Sequence, residues 1–398
     1  MSNAPPLPTL PMQMLLTMGC WLSWPFALQC AKSGSPPLKD GLKNPLPDAT
    51  PKQASQFEAA LQNEAASRAS SLLSGILRYM ESPYARALPE APAVWRKGNA
   101  RLLDYGTGSA SQPVVLFVPS LINRYYILDL EEERSLLRFI AAQGIHPLVL
   151  DWGTPGEQER EFDCADYVTE ILLPAIDFIR GVSGRDIILA GYCMGGVLAL
   201  AAAQLRRDAL AGLALLATPW DFYCEEFTPF VLDAPWRETI EGLIAQREQI
   251  PADLVQSLFY LTDPWIFEQK FRRFSELNPD SRAAKEFMAL ERWVNDGVPM
   301  TAKVAKDCLI GWAQQNTLLR NQWKVGGKAV NPKNIALPAL IAIPKNDHVV
   351  PYACAAALAG AMPKAQVINP GAGHVGMIVG TGARRDLWQP FADWAHSL

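Results

Sequence analysis

From residue 100 onward, short apolar runs alternate with longer stretches in which apolar residues recur at helical spacing. Arg101 to Tyr105 reads as an edge strand, Val114 to Val118 as a central strand and Pro147 to Leu150 as the next. Asp186 to Ala190, Gly212 to Leu216, Pro338 to Ile343 and Gln366 to Ile368 are further short apolar runs of strand length. Helices are expected between them, at Leu130 to Gln143 and Tyr167 to Gly181. Strand and helix in alternation predict an α/β chain with a doubly wound, mostly parallel sheet.

The pattern differs at both ends of this rhythm. Gln53 to Met80 places Phe57, Leu61, Leu72, Leu73, Ile76 and Leu77 at helical spacing, which predicts one or two helices. Ser33 to Lys52, rich in Pro, Gly, Lys and Asp, reads as a linker. Leu10 to Cys30 is apolar, but Ser, Thr, Gln and Pro interrupt it and no Lys or Arg precedes Lys32. A signal peptide and a membrane-spanning helix are therefore not expected there. The segment is expected to pack on the core; the alternative is adsorption to a membrane or other apolar surface through Trp21, Trp24 and Phe26. After Thr218-Pro219-Trp220-Asp221-Phe222 the alternation stops. The stretch to Val330 carries Trp236, Phe259, Tyr260, Trp265, Phe267, Phe271, Phe274, Trp293 and Trp312 in mainly helical context, most of them expected in a helical core. The organisation read from these patterns is an N-terminal apolar segment, linker and helices over 1–95, a first part of the core over 96–220, a helical aromatic-rich cap over 221–330 and a second part of the core over 331–398.

Composition narrows the function. The 398 residues are 49% hydrophobic with a formal net charge of −4, so disorder is excluded and no basic stripe points to nucleic acid. Seven cysteines, without paired or C-x-x-C spacing, suit a reducing, cytoplasmic setting and imply no metal.

The candidate chemistry lies at Gly191-Tyr192-Cys193-Met194-Gly195-Gly196, between the strand ending at Ala190 and a helix that starts near Val197. That is the context of a nucleophile elbow, a strained turn whose neighbours must be small. Downstream, the turn after Pro338 to Ile343 carries Asn346-Asp347-His348, and the turn after Gln366 to Ile368 carries Gly371-Ala372-Gly373-His374. Nucleophile, acid and histidine in this chain order, each at the C-terminal end of a strand, is the arrangement of the α/β-hydrolase fold. Of four histidines, His146 starts a strand at the opposite end of the sheet and His396 lies near the terminus, which leaves His348 and His374 as candidate bases. His374, on its glycine-bracketed loop, is taken as the base, Asp347 as its orienting acid and His348 as a residue that packs the loop. The N–H of Met194 and the loop at Ser120-Leu121 are expected to form the oxyanion hole.

A family resemblance rests on these and further residues. Val118-Pro119-Ser120-Leu121-Ile122-Asn123-Arg124-Tyr125-Tyr126-Ile127-Leu128-Asp129-Leu130, Asp151-Trp152-Gly153, the Gly-x-Cys-x-Gly-Gly box, Ala217 to Phe222, Asn316 to Gly327, Asn346-Asp347-His348 and Gly373-His374 resemble polyhydroxyalkanoate (poly-3-hydroxybutyrate) synthases, in register from about Asp104 onward. The chain looks most like the short synthases that act with a separate partner subunit. The resemblance implies an α/β-hydrolase fold with Cys193, Asp347 and His374 as catalytic residues; the helical cap insertion and the N-terminal helical extension are read from the residue pattern, and the first hundred residues lie outside the resemblance. It implies an acyltransferase that polymerises 3-hydroxyacyl-CoA through a covalent Cys thioester and releases CoA, with acyl-CoA as substrate and no further cofactor. Ser120, Asn123, Tyr192, Trp152 and His348 are the candidate substrate-binding residues. Asp151 and Trp152 can equally support the elbow. Arg124, Arg320, Lys324 and Lys328 are read first as solvated surface charges and second as contacts to CoA phosphates. A second synthase subunit, a homodimer and the surface of a polymer granule are the expected partners. A thioesterase or esterase using the same three residues is the alternative.

The chemistry agrees with a thioester donor, because a thiol exchanges an acyl group with another thioester at nearly balanced energy. A free thiol ionises near about 8.5, so it needs an adjacent imidazole and a helix N-terminus to act near neutrality. Chain growth further needs water kept out, which is the role expected of the aromatic cap.

Overall fold

The computed structural model describes residues 14, 17, 50–106, 112–224, 234–260 and 265–398. Apart from Met14 and Thr17, the apolar segment Leu10 to Cys30, with its anchors Trp21, Trp24 and Phe26, lies outside the described residues. So does the linker up to residue 49. The described chain forms two compact units, residues 50–85 with 256–295, and residues 86–255 with 296–398.

The first unit is organised by α1, Pro51–Glu81, one helix of 31 residues where the spacing allowed one or two. It starts inside the expected linker, because Thr50 and Gln53 form a reciprocal capping box and Pro51 occupies the first turn, where its missing N–H costs nothing. Leu72, Ile76 and Tyr79 pack on Phe267, Phe271, Phe274, Ala284 and Met288. A β-carbon on Gly75 would stand 2.0 Å from the Phe271 carbonyl oxygen, so glycine sets the closeness of that crossing. Phe267, Phe271 and Phe274 are thus core residues. The side chains of Trp236, Phe259 and Tyr260 lie outside the description.

The second unit is built on an eight-stranded sheet. Its strands are β1 Ala93–Lys97, β2 Ala100–Asp104, β3 Val114–Val118, β4 His146–Asp151, β5 Ile187–Tyr192, β6 Leu210–Leu216, β7 Ala339–Ala342 and β8 Gln366–Ile368. Their order across the sheet is β1-β2-β4-β3-β5-β6-β7-β8. β1 and β2 pair antiparallel and β2 runs antiparallel to β4, while the pairs from β4 through β8 are parallel. The central strands β3 and β5 are buried along their whole length, as parallel strands covered on both faces must be. The doubly wound sheet expected from the pattern is therefore present.

Two elements differ from expectation. The edge strand is β1 rather than Arg101 to Tyr105; most of β1 is exposed or half-buried, so it carries no apolar signature. Its hairpin turn places Gly98 at φ 56°. The helix expected from Leu130 begins only at Leu136, after a small hairpin pairing Asp129–Glu131 with Arg134–Ser135. Ser135 caps this helix, α2 (Leu136–Ala142), by accepting from the Arg138 N–H at 3.0 Å. The buried carboxylate of Asp129 anchors the region. It accepts from Arg86, Arg138 and the Tyr105 hydroxyl. Among the described residues, no helix is long and apolar enough to cross a membrane.

Candidate active site

β5 delivers Cys193 at its C-terminal end, and helix α3, Met194–Leu205, begins at the next residue. Cys193 has φ 57° and ψ −128°, a conformation L-residues rarely adopt. Its N–H donates to the Leu216 carbonyl at 2.8 Å, which ties the elbow to the end of β6. A β-carbon on Gly195 would stand 2.1 Å from the Val118 carbonyl oxygen and 2.5 Å from that of Pro119, and one on Gly191 2.4 Å from Cα of Gly196. The glycines are thus needed for close approach of strand, helix and the β3 loop. The N–H of Met194 stands at the first position of the helix, where no intrahelical acceptor exists.

The loop after β3 lies against that first turn. The Ser120 hydroxyl accepts from the Ile122 N–H at 3.1 Å, shaping the turn around buried Leu121. The Trp152 indole donates to the Pro119 carbonyl at 3.0 Å. Asp151, at the end of β4, is held by Arg101 and accepts from the Gly153 N–H. The Val298 N–H donates to the Ile122 carbonyl, and Asn123 bridges Gly297.

The acid and the histidine sit on neighbouring loops that hydrogen bonds draw together. Lys345 N–H donates to the Pro370 carbonyl and Asn346 N–H to that of Ala372, while the Asn346 side-chain amide donates to Gly371. Asp347 is buried. One of its oxygens accepts from the N–H groups of Val349 and Val350, both at 2.8 Å, and the other is 2.7 Å from His374 Nδ1. The second nitrogen of His374 is not engaged by Asp347, and Cys193 is near enough to act electrostatically on the imidazole. Burial alone would push the imidazole pKa down, but the negative charges of Asp347 and Cys193 outweigh it and hold His374 well above its ordinary value.

His374 is therefore paired with Asp347 and interacts with Cys193, while His348 is exposed at the rim of the same loop. Tyr192 lies behind the histidine, its ring 5.2 Å from the imidazole and its hydroxyl donating to the His374 carbonyl at 3.3 Å. His146 pairs with Asp104 at 2.7 Å and His396 reaches the Gln143 carbonyl, so both are occupied elsewhere. Arg124 contacts Asp296 and Thr154, Arg320 stacks on Tyr223, and Lys324 and Lys328 stand exposed on a short hairpin. Asp221 orients a loop: it accepts from the Tyr223 N–H and from the Asn316 side chain. Among the described residues, no cluster of three or more His, Cys, Asp or Glu side chains could hold a metal. Sequence reasoning gave Asn346 no role, although an amide directly before the acid is a signal for a loop-fixing side chain.

The site can place a thiol, a base oriented by a carboxylate, and helix N–H groups around one reacting carbonyl. The sequence profile described as "Alpha/beta hydrolase family" matches residues 115–380, and that described as "Poly-beta-hydroxybutyrate polymerase (PhaC) N-terminus" matches residues 87–140. The chain is 30% identical to the poly(3-hydroxyalkanoate) polymerase subunit PhaC of Haloferax mediterranei over 76% of its own length and 62% of that protein. It is 29% identical to the same subunit of Haloarcula marismortui, over 80% and 70% of the two chains, and 28% identical to that of Allochromatium vinosum, over 71% and 81%.

Proposed function

Because the chain belongs to the alpha/beta hydrolase family and is similar over most of its length to poly(3-hydroxyalkanoate) polymerase subunits, we propose that it is an acyltransferase that polymerises 3-hydroxyacyl-CoA. The observation that carries the reading is a thiol at a strained elbow, beside a histidine that a buried aspartate holds at 2.7 Å. In the first step Cys193 passes its proton to His374 and attacks the thioester carbonyl, with the N–H groups of Met194 and Leu121 receiving the oxyanion. The carbon–sulfur bond to CoA breaks, the CoA thiolate takes the proton from His374, and an acyl-Cys193 thioester remains. In the second step the hydroxyl of the acyl unit on Cys193 loses its proton to His374 and attacks the thioester carbonyl of an incoming 3-hydroxyacyl-CoA; the carbon–sulfur bond to CoA breaks, the CoA thiolate takes the proton from His374, and the lengthened chain stays on Cys193. Both oxygens of Asp347 are already engaged, so His374 is the base for this step too. The same relatives are named as subunits. A partner subunit, a homodimer and a granule surface are therefore proposed companions of this chain as well, in the cytoplasm.

The test is incubation of the purified protein with 3-hydroxybutyryl-CoA, alone and with a candidate partner subunit, following CoA release and separating polymer from free acid. Polymer with a ladder of acyl units on Cys193 supports the proposal. Release of monomeric acid equal to CoA, with at most one acyl unit on the enzyme, would instead identify a thioesterase.

A further inference from the structure

Tyr192 immediately precedes Cys193 in the elbow, and its side chain runs back beneath the histidine loop. The residue is 3% exposed, so its ring is not available as a wall for substrate. The ring lies 5.2 Å from the imidazole of His374 at an interplanar angle of 32°, and the hydroxyl donates to the backbone carbonyl of that same residue at 3.3 Å. One side chain therefore contacts both the ring and the backbone of the proposed base. The groups facing His374 are Asp347 on its own side of the sheet edge, Cys193 on the elbow and Tyr192. Burial first, then the charges of Cys193 and Asp347, raise the phenol pKa well above its ordinary value, so Tyr192 meets the imidazole as a neutral ring.

We propose that Tyr192 is a positioning residue that fixes the distance between the thiol of Cys193 and the imidazole of His374, because it is chain-adjacent to the first and clamped to the second. The proposal rests on the Cys193–Asp347–His374 reading, and replaces the expectation that Tyr192 binds substrate. An imidazole free to drift from the thiol would form the thiolate less readily, while substrate binding elsewhere would be untouched. Ring and hydroxyl contribute separately: Tyr192→Phe keeps the tilted ring contact and loses the hydrogen bond, and Tyr192→Leu loses both.

The experiment measures the rate of Cys193 alkylation by iodoacetamide across pH, together with kcat and KM for 3-hydroxybutyryl-CoA, in the full chain. In the wild type the alkylation rate near neutral pH should depend on His374, and His374→Gln should lower it. Tyr192→Phe should lower that rate by a smaller factor and lower kcat about three- to tenfold, as loss of one neutral hydrogen bond implies, with KM unchanged. Tyr192→Leu should do more of both. Far-UV circular dichroism restricts the comparison to folded protein, and the Phe variant keeps the core filled if the Leu variant does not fold. Unchanged alkylation rates and kcat in folded Tyr192→Phe, or a change confined to KM, would overturn the positioning role while leaving the triad intact. A wild-type profile indifferent to His374→Gln would instead overturn the triad reading on which it rests.

Discussion

Gly196 and Thr218 meet so closely that a β-carbon on Gly196 would stand 1.8 Å from the Thr218 hydroxyl oxygen. Thr218 follows β6 and is fully buried, so it has nowhere to retreat. The contact fixes the start of α3 against the end of the neighbouring strand, and with it the direction in which Cys193 points. Gly196→Ala should therefore destabilise the fold by about 1–3 kcal/mol, the usual cost of overpacking, and abolish acylation of Cys193. Thr218→Ala in the same chain should recover part of the lost stability by making room for the new methyl. Urea unfolding of both variants checks this, and a Gly196→Ala protein as stable as the parent would show that the contact is not limiting.

His374, rather than His348, is hydrogen-bonded to the aspartate. His374→Gln should slow CoA release by about 10²–10⁴, the contribution of a positioned general base, whereas His348→Gln on the exposed rim should change it little. Steady-state CoA release with both variants decides between them. Reversed effects would exchange the two roles.

A group outside the triad sets a stability dependence on pH. Burial raises Asp307 from the usual 3.8 to about 6, although the Cys164 N–H donates to its carboxylate at 3.0 Å. Between those two values the folded protein holds a proton that the unfolded chain has lost, so stability falls as pH rises through that window. Above about pH 6 the ionised form costs roughly 3 kcal/mol, from about 1.4 kcal/mol per pKa unit. Asp307→Asn keeps an oxygen for the Cys164 N–H and removes the charge. It should stabilise the protein by about 1–3 kcal/mol at pH 8 and have almost no effect at pH 4, which urea titrations at the two pH values would show. A gain equal at both pH values would mean that the charge is not the cause.

What the sequence reveals depends on whether a local rule demands particular residues. The elbow is legible because its close approaches admit only glycine at 191, 195 and 196, and because acid and histidine must follow at later strand ends. The sheet is legible where strands are buried on both faces and read as apolar runs. β1 is not, since an edge strand with an exposed face lacks that signature. Nor can local pattern show that Tyr79 packs edge-on against Phe271, 192 positions away, or that Asp129 is a buried anchor for two arginines. Those contacts are set by tertiary shape. The same is true of Tyr192, whose place beneath His374 depends on a loop that arrives from the far end of the chain.

Trp152 tests the difference between lining a pocket and supporting a loop. Its side chain is buried, its ring meets Tyr167 edge-on at 5.5 Å, and its indole N–H is spent on the Pro119 carbonyl at 3.0 Å. That carbonyl immediately precedes Ser120 and Leu121, whose loop is proposed to supply one oxyanion donor. Trp152→Phe fills most of the same space but leaves the Pro119 oxygen without its donor, at a cost of about 1–3 kcal/mol in stability. With the loop less firmly held, the oxyanion donor is misplaced in the transition state more than in the bound ground state, so kcat should fall while KM stays nearly constant. A side chain that contacted the acyl group would behave otherwise. Its replacement would alter KM and the preference among acyl-CoA chain lengths, and leave unfolding almost unchanged. Steady-state kinetics with 3-hydroxyacyl-CoA donors of two chain lengths, beside a urea titration, separates the two; a chain-length-dependent KM effect at unchanged stability would return Trp152 to the substrate-binding set.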